Sequence, residues 1–409
     1  MKAGPLSERI AYFSICSLNY LHFARTLAQS LRAAVPRAEL LLFIADRWND
    51  AAVAAAPEVH AIPVEAIGIP NLLDMAFRYD ILEFNTSVKP FCFDYLLDQM
   101  GFDRAIYLDP DIYVLKPLDH VLQAFADGAD CILTPHITQP IDDGRYPGEI
   151  ELLMAGVFNL GFAAFANSPA SHKFLAWWRQ KLATGCLRDP PNGIFVDQRY
   201  CDFAPAFIER MAVLRHPGYN LAYWNLPYLP VEKSDGGYAV CGQPVRFVHF
   251  SGIDPQRPDL FSRFQDRFRR PDLGALGPLY DEYLARLEMN DSSSGLQFSK
   301  IPYGFGVFAS GTPIQPATRL AYRMASKGST CHDDPFSLSP ELFEPGATAS
   351  SDIAATHSQP VPPTAQPAPV EPVQSPRLSA GRLMRVLRRG AARVRSYVAN
   401  RASSIVRRM

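Results

Sequence analysis

The amino-acid sequence predicts an α/β protein with a mixed, mostly parallel central sheet that is flanked by helices on both faces. Apolar runs of strand length alternate with segments of helical periodicity, and short polar turns separate them. The chain has 409 residues, of which 48% are hydrophobic, and is therefore long enough to bury a large core. In such sheets ligands bind at the carboxyl ends of the strands, so the residues that follow each strand are the candidate site residues.

The first predicted unit is a strand, a polar turn and a helix. Ile10–Cys16 is expected to be a buried strand, and residues 20–34 place apolar side chains at helical spacing. Further strands are expected at residues 40–45, 105–108, 131–134, 157–165 and 245–250. Further helices are expected at residues 88–100, 171–182 and 278–288. This alternation is the pattern that βαβ units produce.

Changes in composition divide the chain into four predicted parts. Residues 1–260 hold the alternating pattern and form the predicted main domain, and residues 261–344 form a helical or mixed extension. Residues 345–376 are rich in Pro, Ala, Ser, Thr and Gln, which predicts a disordered linker. Residues 377–409 hold ten Arg and no acidic residue, and their apolar residues recur every three or four positions, which predicts a basic amphipathic helix.

The distribution of charge favours a membrane surface over nucleic acid as a partner. The net charge is −1, and without the ten Arg of the basic segment the rest of the chain carries −11. An acidic body argues against nucleic-acid binding, whereas the basic helix suits adsorption to an anionic membrane. Because the sequence has no long apolar run and no signal peptide at its start, we expect a cytoplasmic protein, peripheral on the inner face of the membrane. A disordered basic tail that binds any polyanion is the alternative.

The most informative segment is AIYLDPDIYVLKPL, residues 105–118, in which a predicted strand ends in Asp109, Pro110 and Asp111. Side chains at positions i and i+2 of an extended chain point to the same side. Two carboxylates placed in this way repel each other unless a cation joins them, and oxygen ligands favour Mn²⁺ or Mg²⁺. The pair therefore predicts a divalent metal site. The alternative is a turn in which the Asp side chains accept backbone hydrogen bonds.

In its motifs and their order, the segment of residues 10–254 resembles the GT-A-fold glycosyltransferases that carry a DxD motif. It is most similar to glycosyltransferase family 8, which includes glycogenin and retaining galactosyltransferases of lipopolysaccharide synthesis. The matching segments are SICSLNYLHFARTLAQSL, the DxD strand, GVFNLGF, VDQRY and VHFSG. The resemblance implies a GT-A-like, Rossmann-type sheet and a metal site in which His249 joins Asp109 and Asp111. The alternative for His249 is a core histidine with satisfied hydrogen bonds.

The resemblance also implies contacts to the nucleotide end of a sugar donor. The base and ribose contacts would come from Ser17, Asn19 and Tyr20, and the phosphate contacts from Lys89 and Gly252. Asn19 as a helix cap and Lys89 as a solvated surface residue are the structural alternatives.

At the sugar end of the donor, the resemblance implies that Asn159 and Asp197 bind hydroxyl groups of the sugar. Gly161 would let the backbone approach closely, and Gln198 would lie beneath the anomeric carbon. A buried Asp that caps a helix is the alternative for Asp197.

The chain departs from the family pattern after VHFSG. The family continues HxxGxxKPW with a Lys that binds the leaving diphosphate, whereas this chain reads HFSGIDPQRP and has Pro255 at that position. Stabilisation of the leaving group would then fall to Arg257 or Lys89.

Two further segments have either a functional or a structural explanation. LTPHITQP, residues 133–140, places His136 between a predicted strand and a loop, where it faces the donor, the acceptor or only a turn. In HPGYNLAYWN, residues 216–225, Tyr219, Asn220, Tyr223 and Trp224 combine aromatic rings with an amide. Such a combination suits stacking on sugar faces, but Tyr and Trp are also commonly core residues.

The sequence thus predicts a metal-dependent glycosyltransferase that takes a nucleotide-sugar donor, with a UDP-sugar expected, and works with retention of configuration. The expected acceptor is a glycan or a lipid-linked glycan in the synthesis of cell-surface polysaccharide. The alternatives are a catalytically inactive GT-A-like carbohydrate-binding protein and a sugar nucleotidyltransferase. A nucleotidyltransferase would need a Gly-rich phosphate loop after the first strand, and CSLNYLHF has no glycine.

Overall fold

The structure is a computed structural model that describes residues 8–293, 295–326 and 333–343. It divides into two compact units, of which the larger comprises Met1–Leu72 and Tyr79–Gly306 and the smaller comprises Leu73–Arg78 and Val307–Met409. The predicted linker, residues 345–376, and the predicted basic helix, residues 377–409, lie outside the described residues.

The described strands and helices follow one another along the chain with the following bounds. The strands are β1 Ile10–Cys16, β2 Leu40–Ile44, β3 Val59–Pro63, β4 Arg104–Leu108, β5 Ile112–Val114, β6 Cys131–Pro135, β7 Phe158–Ala166, β8 Arg188–Asp189, β9 Ile194–Phe195, β10 Met211–Val213, β11 Val231–Ser234, β12 Gly237–Val240, β13 Gln243–Pro244, β14 Phe247–His249, β15 Ser292–Ser293 and β16 Leu296–Gln297. The α-helices are α1 Leu21–Ala34, α2 Asp50–Ala54, α3 Leu72–Arg78, α4 Ile81–Ser87, α5 Lys89–Asp94, α6 Asp119–Ala126, α7 Glu149–Ala155, α8 Pro169–Gly185, α9 Ala204–Phe207, α10 Gly277–Asp291 and α11 Pro316–Ser326. Short 3-10 turns lie at Leu18–Tyr20, Val64–Ile67, Pro190–Asn192, Gln198–Phe203, Arg270–Leu276, Phe298–Lys300, Gly304–Gly306, Pro335–Ser337 and Pro340–Phe343.

The larger unit is built on a seven-stranded sheet with the order β10-β6-β7-β4-β1-β2-β3. Strand β7 runs antiparallel to both of its neighbours, and the other pairs in the sheet are parallel. Alternate residues of β1 serve opposite faces. Tyr12 packs in a core cluster with Leu27 and Leu31 of α1, whereas the ring of Phe13 meets that of Phe93 in α5 at 4.7 Å. Helices therefore cover both faces, and the predicted mixed, mostly parallel fold class is confirmed.

Several predicted elements differ from the structure in their extent. The predicted helix of residues 88–100 is α5 followed by a π-helical turn, Tyr95–Gln99. The predicted strand of residues 245–250 is the short β14, which pairs with β5 and stays outside the central sheet. Strand β3, which was not predicted, lies at the edge of the sheet, has an exposed His60 and ends at Pro63. An edge strand of this kind lacks the apolar run that identifies a buried strand.

The pairing of short strands positions the candidate site. Strand β4 ends immediately before Asp109, whose backbone N–H donates to the carbonyl of Gly161 at 2.8 Å. After Asp111 the chain forms β5, which pairs antiparallel with β14 so that His249 lies opposite Ile112. The N–H of Phe250 then donates to the carbonyl of Asp111 at 2.9 Å. Residues from three separate parts of the sequence therefore meet at one edge of the sheet.

In the smaller unit, α11 packs against residues 73–78. The Tyr322 hydroxyl donates to Asp74 at 2.6 Å, and the guanidinium of Arg78 lies 3.0 Å from the same carboxylate. Arg319 donates to the carbonyl of Phe77 at 2.7 Å. The division of the chain at residue 261, with residues 261–344 as a helical or mixed extension, stays a prediction. None of the described helices is long and apolar enough to cross a membrane.

Candidate metal and donor site

A cavity of about 880 Å³ opens in the larger unit where β1 and β4 end. Eleven of the twelve residues predicted for the site line it, and Asn19 is the exception. The lining residues among the predicted set are Ser17, Tyr20, Lys89, Asp109, Asp111, Asn159, Gly161, Asp197, Gln198, His249 and Gly252. The fold therefore brings residues from the whole main domain to one cavity of the size that holds a small-molecule ligand.

Three candidate metal ligands converge in this cavity. Asp109, Asp111 and His249 each offer one ligand atom, and these atoms lie within 4.8 Å of one another. The Nε2 atom of His249 is 3.0 Å from Oδ1 of Asp111 and 3.6 Å from Oδ2 of Asp109. The His249 side chain is 2% exposed, whereas the side chains of Asp109 and Asp111 are 29% and 19% exposed. The cluster is thus buried on the histidine side and open to the cavity on the carboxylate side.

The electrostatics of this cluster fit a bound cation. Burial raises the pKa of Asp109 above its ordinary value, and the neighbouring carboxylate of Asp111 raises it further. Burial alone would lower the pKa of His249, but the Asp111 carboxylate raises it above its ordinary value. A cation between the two carboxylates would offset their mutual repulsion. Two carboxylate oxygens and one imidazole nitrogen are a set of ligands that can bind a divalent metal ion.

Tyr107 is a site neighbour that the sequence reasoning missed. Its hydroxyl donates to Oδ1 of Asp109 at 2.5 Å. The ammonium of Lys89 lies over its ring, 4.3 Å from the centroid. Tyr107 lies on β4, two residues before Asp109, which follows the end of this strand, and the two side chains point to the same side. The alternation of side chains along a strand was therefore the available signal.

Lys89 is neither a surface residue nor free to move. Its Nζ lies 2.6 Å from Oδ2 of Asp197 and donates to the carbonyl of Leu160 at 2.8 Å. Both charged side chains are 2% exposed. Burial alone would lower the pKa of Lys89, but Asp197 raises it, so the ammonium stays charged. The surface alternative for Lys89 was therefore wrong.

Asp197 does not act as a helix cap. It precedes the 3-10 turn Gln198–Phe203, but its side chain makes no capping hydrogen bond there. The carboxylate instead forms the ion pair with Lys89 at the wall of the cavity. The capping alternative is thus not what the structure shows.

The two candidate sugar-binding amides are held by the protein itself. Gln198 donates from Nε2 to the carbonyl of Ala155 at 2.9 Å, and its Oε1 accepts from the N–H of Leu160 at 3.3 Å. Asn159 accepts at Oδ1 from the N–H of Gly161 at 3.1 Å. Both amides therefore have fixed orientations, and each oxygen is identified by a backbone donor.

Gly161 has a structural requirement beyond the predicted approach to a donor. A Cβ atom at this position would lie 2.2 Å from Cε1 of His249 and 2.9 Å from Oδ1 of Asn159. Any larger residue would therefore displace the histidine of the metal cluster or the amide beside it.

The turn after β1 contains an internal hydrogen bond in place of a cap. The Ser17 hydroxyl donates to Oδ1 of Asn19 at 2.8 Å, and the first turn of α1 has no side-chain cap. Tyr20 stacks on Phe23 with ring centroids 4.7 Å apart. The capping alternative for Asn19 is therefore excluded, and Ser17 and Tyr20 reach the cavity while Asn19 does not.

The structure distinguishes buried residues from cavity-lining residues in the two segments whose role the sequence left open, residues 133–140 and 216–225. Tyr219, Asn220, Trp224 and His136 are buried, and of these His136 and Trp224 line the cavity, as Tyr223 also does. Asn220 accepts a hydrogen bond from Nδ1 of His249 at 3.0 Å. Most of the HPGYNLAYWN segment is thus core, and within it Asn220 and Trp224 contact His249 of the metal cluster.

A cation that was not predicted lies beside Gly252. Arg263 lines the cavity, and its backbone N–H donates to the carbonyl of Gly252 at 3.0 Å. Arg257, which the sequence offered for the leaving group, is exposed and is not among the residues that line the cavity.

Comparison with known proteins finds no matching family model. The chain is 23% identical over 281 residues to the uncharacterized protein YfnF of Bacillus subtilis (strain 168), an alignment that covers 68% of this chain and 92% of that protein. It is 26% identical over 189 residues to the uncharacterized protein YfnD of the same strain, covering 45% of this chain and 58% of YfnD.

Among solved structures, similarity is found to proteins that are glycosyltransferases by name. The galactosyltransferase LgtC, in complex with donor and acceptor sugar analogs, gives a TM-score of 0.40 at 15% identity and covers 67% of this chain and 95% of its own. The bifunctional glycosyltransferase WbbM gives a TM-score of 0.41 at 12% identity, and the match covers 70% of this chain and 50% of the WbbM chain. Mouse xyloside xylosyltransferase 1 gives a TM-score of 0.36 at 15% identity, and the match covers 59% of this chain and 97% of the mouse chain.

Proposed function

We propose that this protein is a metal-dependent glycosyltransferase that uses a nucleotide-sugar donor. The observation that carries the proposal is the convergence of Asp109, Asp111 and His249 at the edge of a cavity of about 880 Å³. The resemblance of the surrounding motifs to those of glycosyltransferase family 8 supports the same conclusion.

Asp109, Asp111 and His249 would hold a divalent ion, with Mn²⁺ or Mg²⁺ expected because two of the three ligands are carboxylates. When bound, such an ion neutralises negative charge on a diphosphate leaving group. Tyr107 supports this site by donating to Asp109. The carboxylates of the two Asp residues face the cavity and His249 is buried behind them, so a diphosphate would approach from the cavity side.

The sugar of the donor would lie next to the Lys89–Asp197 pair. We propose that Asp197 accepts hydrogen bonds from sugar hydroxyls and that Lys89 holds the carboxylate in place, since its ammonium is 2.6 Å away and buried. Gln198 lies on the same wall, and its Oε1 keeps a second lone pair for the substrate. We propose that this oxygen faces the anomeric carbon as the carbon gains positive charge. Asn159 would contact the sugar from the metal side.

We propose that Arg263 takes over the leaving-group role of the Lys that the family pattern has and this chain lacks. Lys89 is committed to Asp197 and Leu160, and Arg257 lies outside the cavity lining. Arg263 lines the cavity next to Gly252, the predicted phosphate contact. A guanidinium at this position can bind a diphosphate in a bidentate manner.

The finer parts of the proposal rest on the sequence. They are a UDP-sugar as donor, transfer with retention, a glycan or lipid-linked acceptor, and a place in the synthesis of cell-surface polysaccharide. The basic segment of residues 377–409 would bring the protein to the inner face of an anionic membrane, because each basic residue near such a surface contributes on the order of 1 kcal/mol.

A donor panel tests the proposed function. The full chain is incubated with Mn²⁺ and a set of UDP-, GDP- and dTDP-sugars, and the release of nucleoside diphosphate is measured. We expect release from at least one donor, and we expect a UDP-sugar to give the highest rate. Binding of donors without release of diphosphate would favour the carbohydrate-binding alternative. Formation of a nucleotide-sugar and pyrophosphate from a sugar 1-phosphate and a nucleoside triphosphate would favour the nucleotidyltransferase alternative.

A further inference from the structure

Asn220 occupies an unusual position behind the metal cluster. Its φ angle is +53°, in the left-handed region that non-glycine residues other than Asn and Asp rarely adopt. The residue is fully buried, and its carbonyl accepts a hydrogen bond from Nδ2 of Asn225 at 3.0 Å. The left-handed conformation is one that Asn tolerates, and it places the Asn220 amide directly behind His249.

The side chain of Asn220 links His249 to the rest of the site. Its Nδ2 lies 2.9 Å from Oγ1 of Thr134 and 3.1 Å from Oδ1 of Asn159, and its Oδ1 lies 3.0 Å from Nδ1 of His249. Both polar atoms of the Asn220 amide thus have hydrogen-bond partners.

The orientation of this amide follows from one backbone donor. The N–H of Gly161 can only donate, so the atom of Asn159 that receives it, at 3.1 Å, is the oxygen. The atom of Asn220 that faces this oxygen must then be the nitrogen. The remaining atom of the Asn220 amide is an oxygen, and it faces Nδ1 of His249. Since an amide oxygen only accepts, Nδ1 carries a proton.

We infer that Asn220 is a positioning residue that fixes the Nδ1–H tautomer of His249 and so keeps Nε2 free to bind the divalent ion. The inference rests on the metal site of the proposed function. In the neutral imidazole, the Nε2 lone pair then faces the Asp111 and Asp109 oxygens at 3.0 and 3.6 Å, an arrangement that is favourable when a cation lies among the three atoms. Asn159 joins the same network, so the proposed sugar contact and the metal ligand share one support.

The positive φ angle provides clean variants. Asn220→Gly removes the amide without introducing backbone strain, because Gly adopts this conformation freely. Asn220→Asp keeps an acceptor for Nδ1 of His249 and tolerates the same φ angle, but it places an oxygen opposite Oδ1 of Asn159. Asn71→Gly is the matched control, since Asn71 has a φ angle of +56° and is exposed.

Binding of Mn²⁺ to the full chain, measured by calorimetry without any substrate, tests the inference. We expect Asn220→Gly to bind Mn²⁺ about 10- to 100-fold more weakly than wild type. Asn220→Asp keeps the acceptor for Nδ1 and should therefore bind Mn²⁺ more tightly than Asn220→Gly, and Asn71→Gly should match wild type. Equal affinity of Asn220→Gly and wild type would overturn the role of Asn220. Absence of Mn²⁺ binding in the wild type would instead overturn the metal site of the proposed function.

The tautomer can also be read directly in the wild type, which removes any dependence on how well a variant folds. The metal-free chain is labelled with ¹⁵N-histidine, and long-range ¹H–¹⁵N spectra are recorded at pH 9, with His249→Ala used for assignment. We expect the Nδ1 atom of His249 to be protonated. A neutral His249 with its proton on Nε2 alone would contradict the inference, whatever the metal affinities are.

Discussion

Lys89 and Asp197 form a buried ion pair in the wall of the cavity, with Nζ and Oδ2 2.6 Å apart and both side chains 2% exposed. The two residues are far apart in the sequence, and each was considered separately as a donor contact. The negative charge of Asp197, the proposed sugar-binding carboxylate, is therefore balanced by a lysine that is itself buried.

Breaking this pair should cost stability as well as activity. Lys89→Met leaves the Asp197 carboxylate buried without its partner, so we expect a loss of about 3–5 kcal/mol in the free energy of unfolding. The exposed pair of Arg269 and Asp259, at 3.2 Å, is the control, and Arg269→Met should cost at most about 1 kcal/mol. Urea unfolding measures both. Similar small losses in the two variants would show that the buried pair does not stabilise the fold.

The proposal for the leaving group distinguishes two arginines. Arg263→Gln removes a cation at the cavity beside Gly252, so we expect kcat/KM for the donor to fall about 10- to 100-fold. Arg257→Gln should have little effect, because Arg257 is exposed and is not among the cavity-lining residues. Steady-state kinetics with a varied donor concentration measure both. The opposite ranking of the two variants would return the role to Arg257.

A buried histidine makes the stability of the larger unit depend on pH. Burial lowers the pKa of His22 to about 4, although Asp291 at 3.6 Å acts in the opposite direction. The unfolded chain protonates this histidine below its ordinary pKa of about 6.5, so its contribution to stability is present above that pH and is lost as the pH falls towards 4. Between pH 7 and pH 5 the loss should be about 2 kcal/mol.

His22→Gln isolates this effect, because glutamine does not titrate. Asp46 has the opposite effect on stability. Burial raises its pKa to about 6, so between pH 7 and pH 5 the folded protein takes up this proton more readily than the unfolded chain and is stabilised as the pH falls. The test is therefore the difference between wild type and variant in the free energy of unfolding at pH 7 and pH 5. The wild type should lose more stability than His22→Gln over this range. An identical pH dependence in the two proteins would contradict the assignment to His22.

The strand ends of the candidate site could be predicted because strand periodicity and polar residues coincide there. Asp109 and Asp111 follow a mostly apolar strand, and their side chains converge as predicted. The reason given for this was wrong, because the chain is not extended there but turns, and the N–H of Ile112 donates to the carbonyl of Asp109 at 3.0 Å. His249 required the resemblance to a family, since a single histidine after apolar residues carries no signal of its own. Its actual position is determined by the pairing of β14 with β5, a three-residue ladder that no local pattern specifies.

The supporting residues could not be predicted, because their roles depend on contacts between distant parts of the chain. Asn220 was noted together with its aromatic neighbours, for which stacking on a sugar and a place in the core were both left open, and it is buried behind His249. Arg263 lies beyond the segment that resembles the family and therefore had no motif to mark it. Lys89 was assigned to the phosphates, and its ion pair with Asp197 becomes visible only in the fold.

The basic segment of residues 377–409 should attach the protein to anionic membranes. Its ten Arg residues and the absence of acidic residues predict strong partitioning to vesicles that contain phosphatidylglycerol, and little to neutral vesicles. Co-sedimentation of the full chain is compared with that of a version ending at Ser375. The shorter version should remain in the supernatant. Equal partitioning of the two proteins to anionic vesicles would refute the anchor.

The central claim is that Asp109, Asp111 and His249 hold the ion on which sugar transfer depends. The most direct test is Mn²⁺-dependent release of nucleoside diphosphate by wild type, Asp109→Asn and Asp111→Asn, with the exposed Asp235→Asn as control. Loss of one charged ligand should remove several kcal/mol of transition-state stabilisation, so turnover should fall at least about 100-fold in both site variants while their unfolding curves stay cooperative. EDTA should reduce the wild type to the same level, and Asp235→Asn should match the wild type. Full turnover in either site variant, or in the presence of EDTA, would contradict the account.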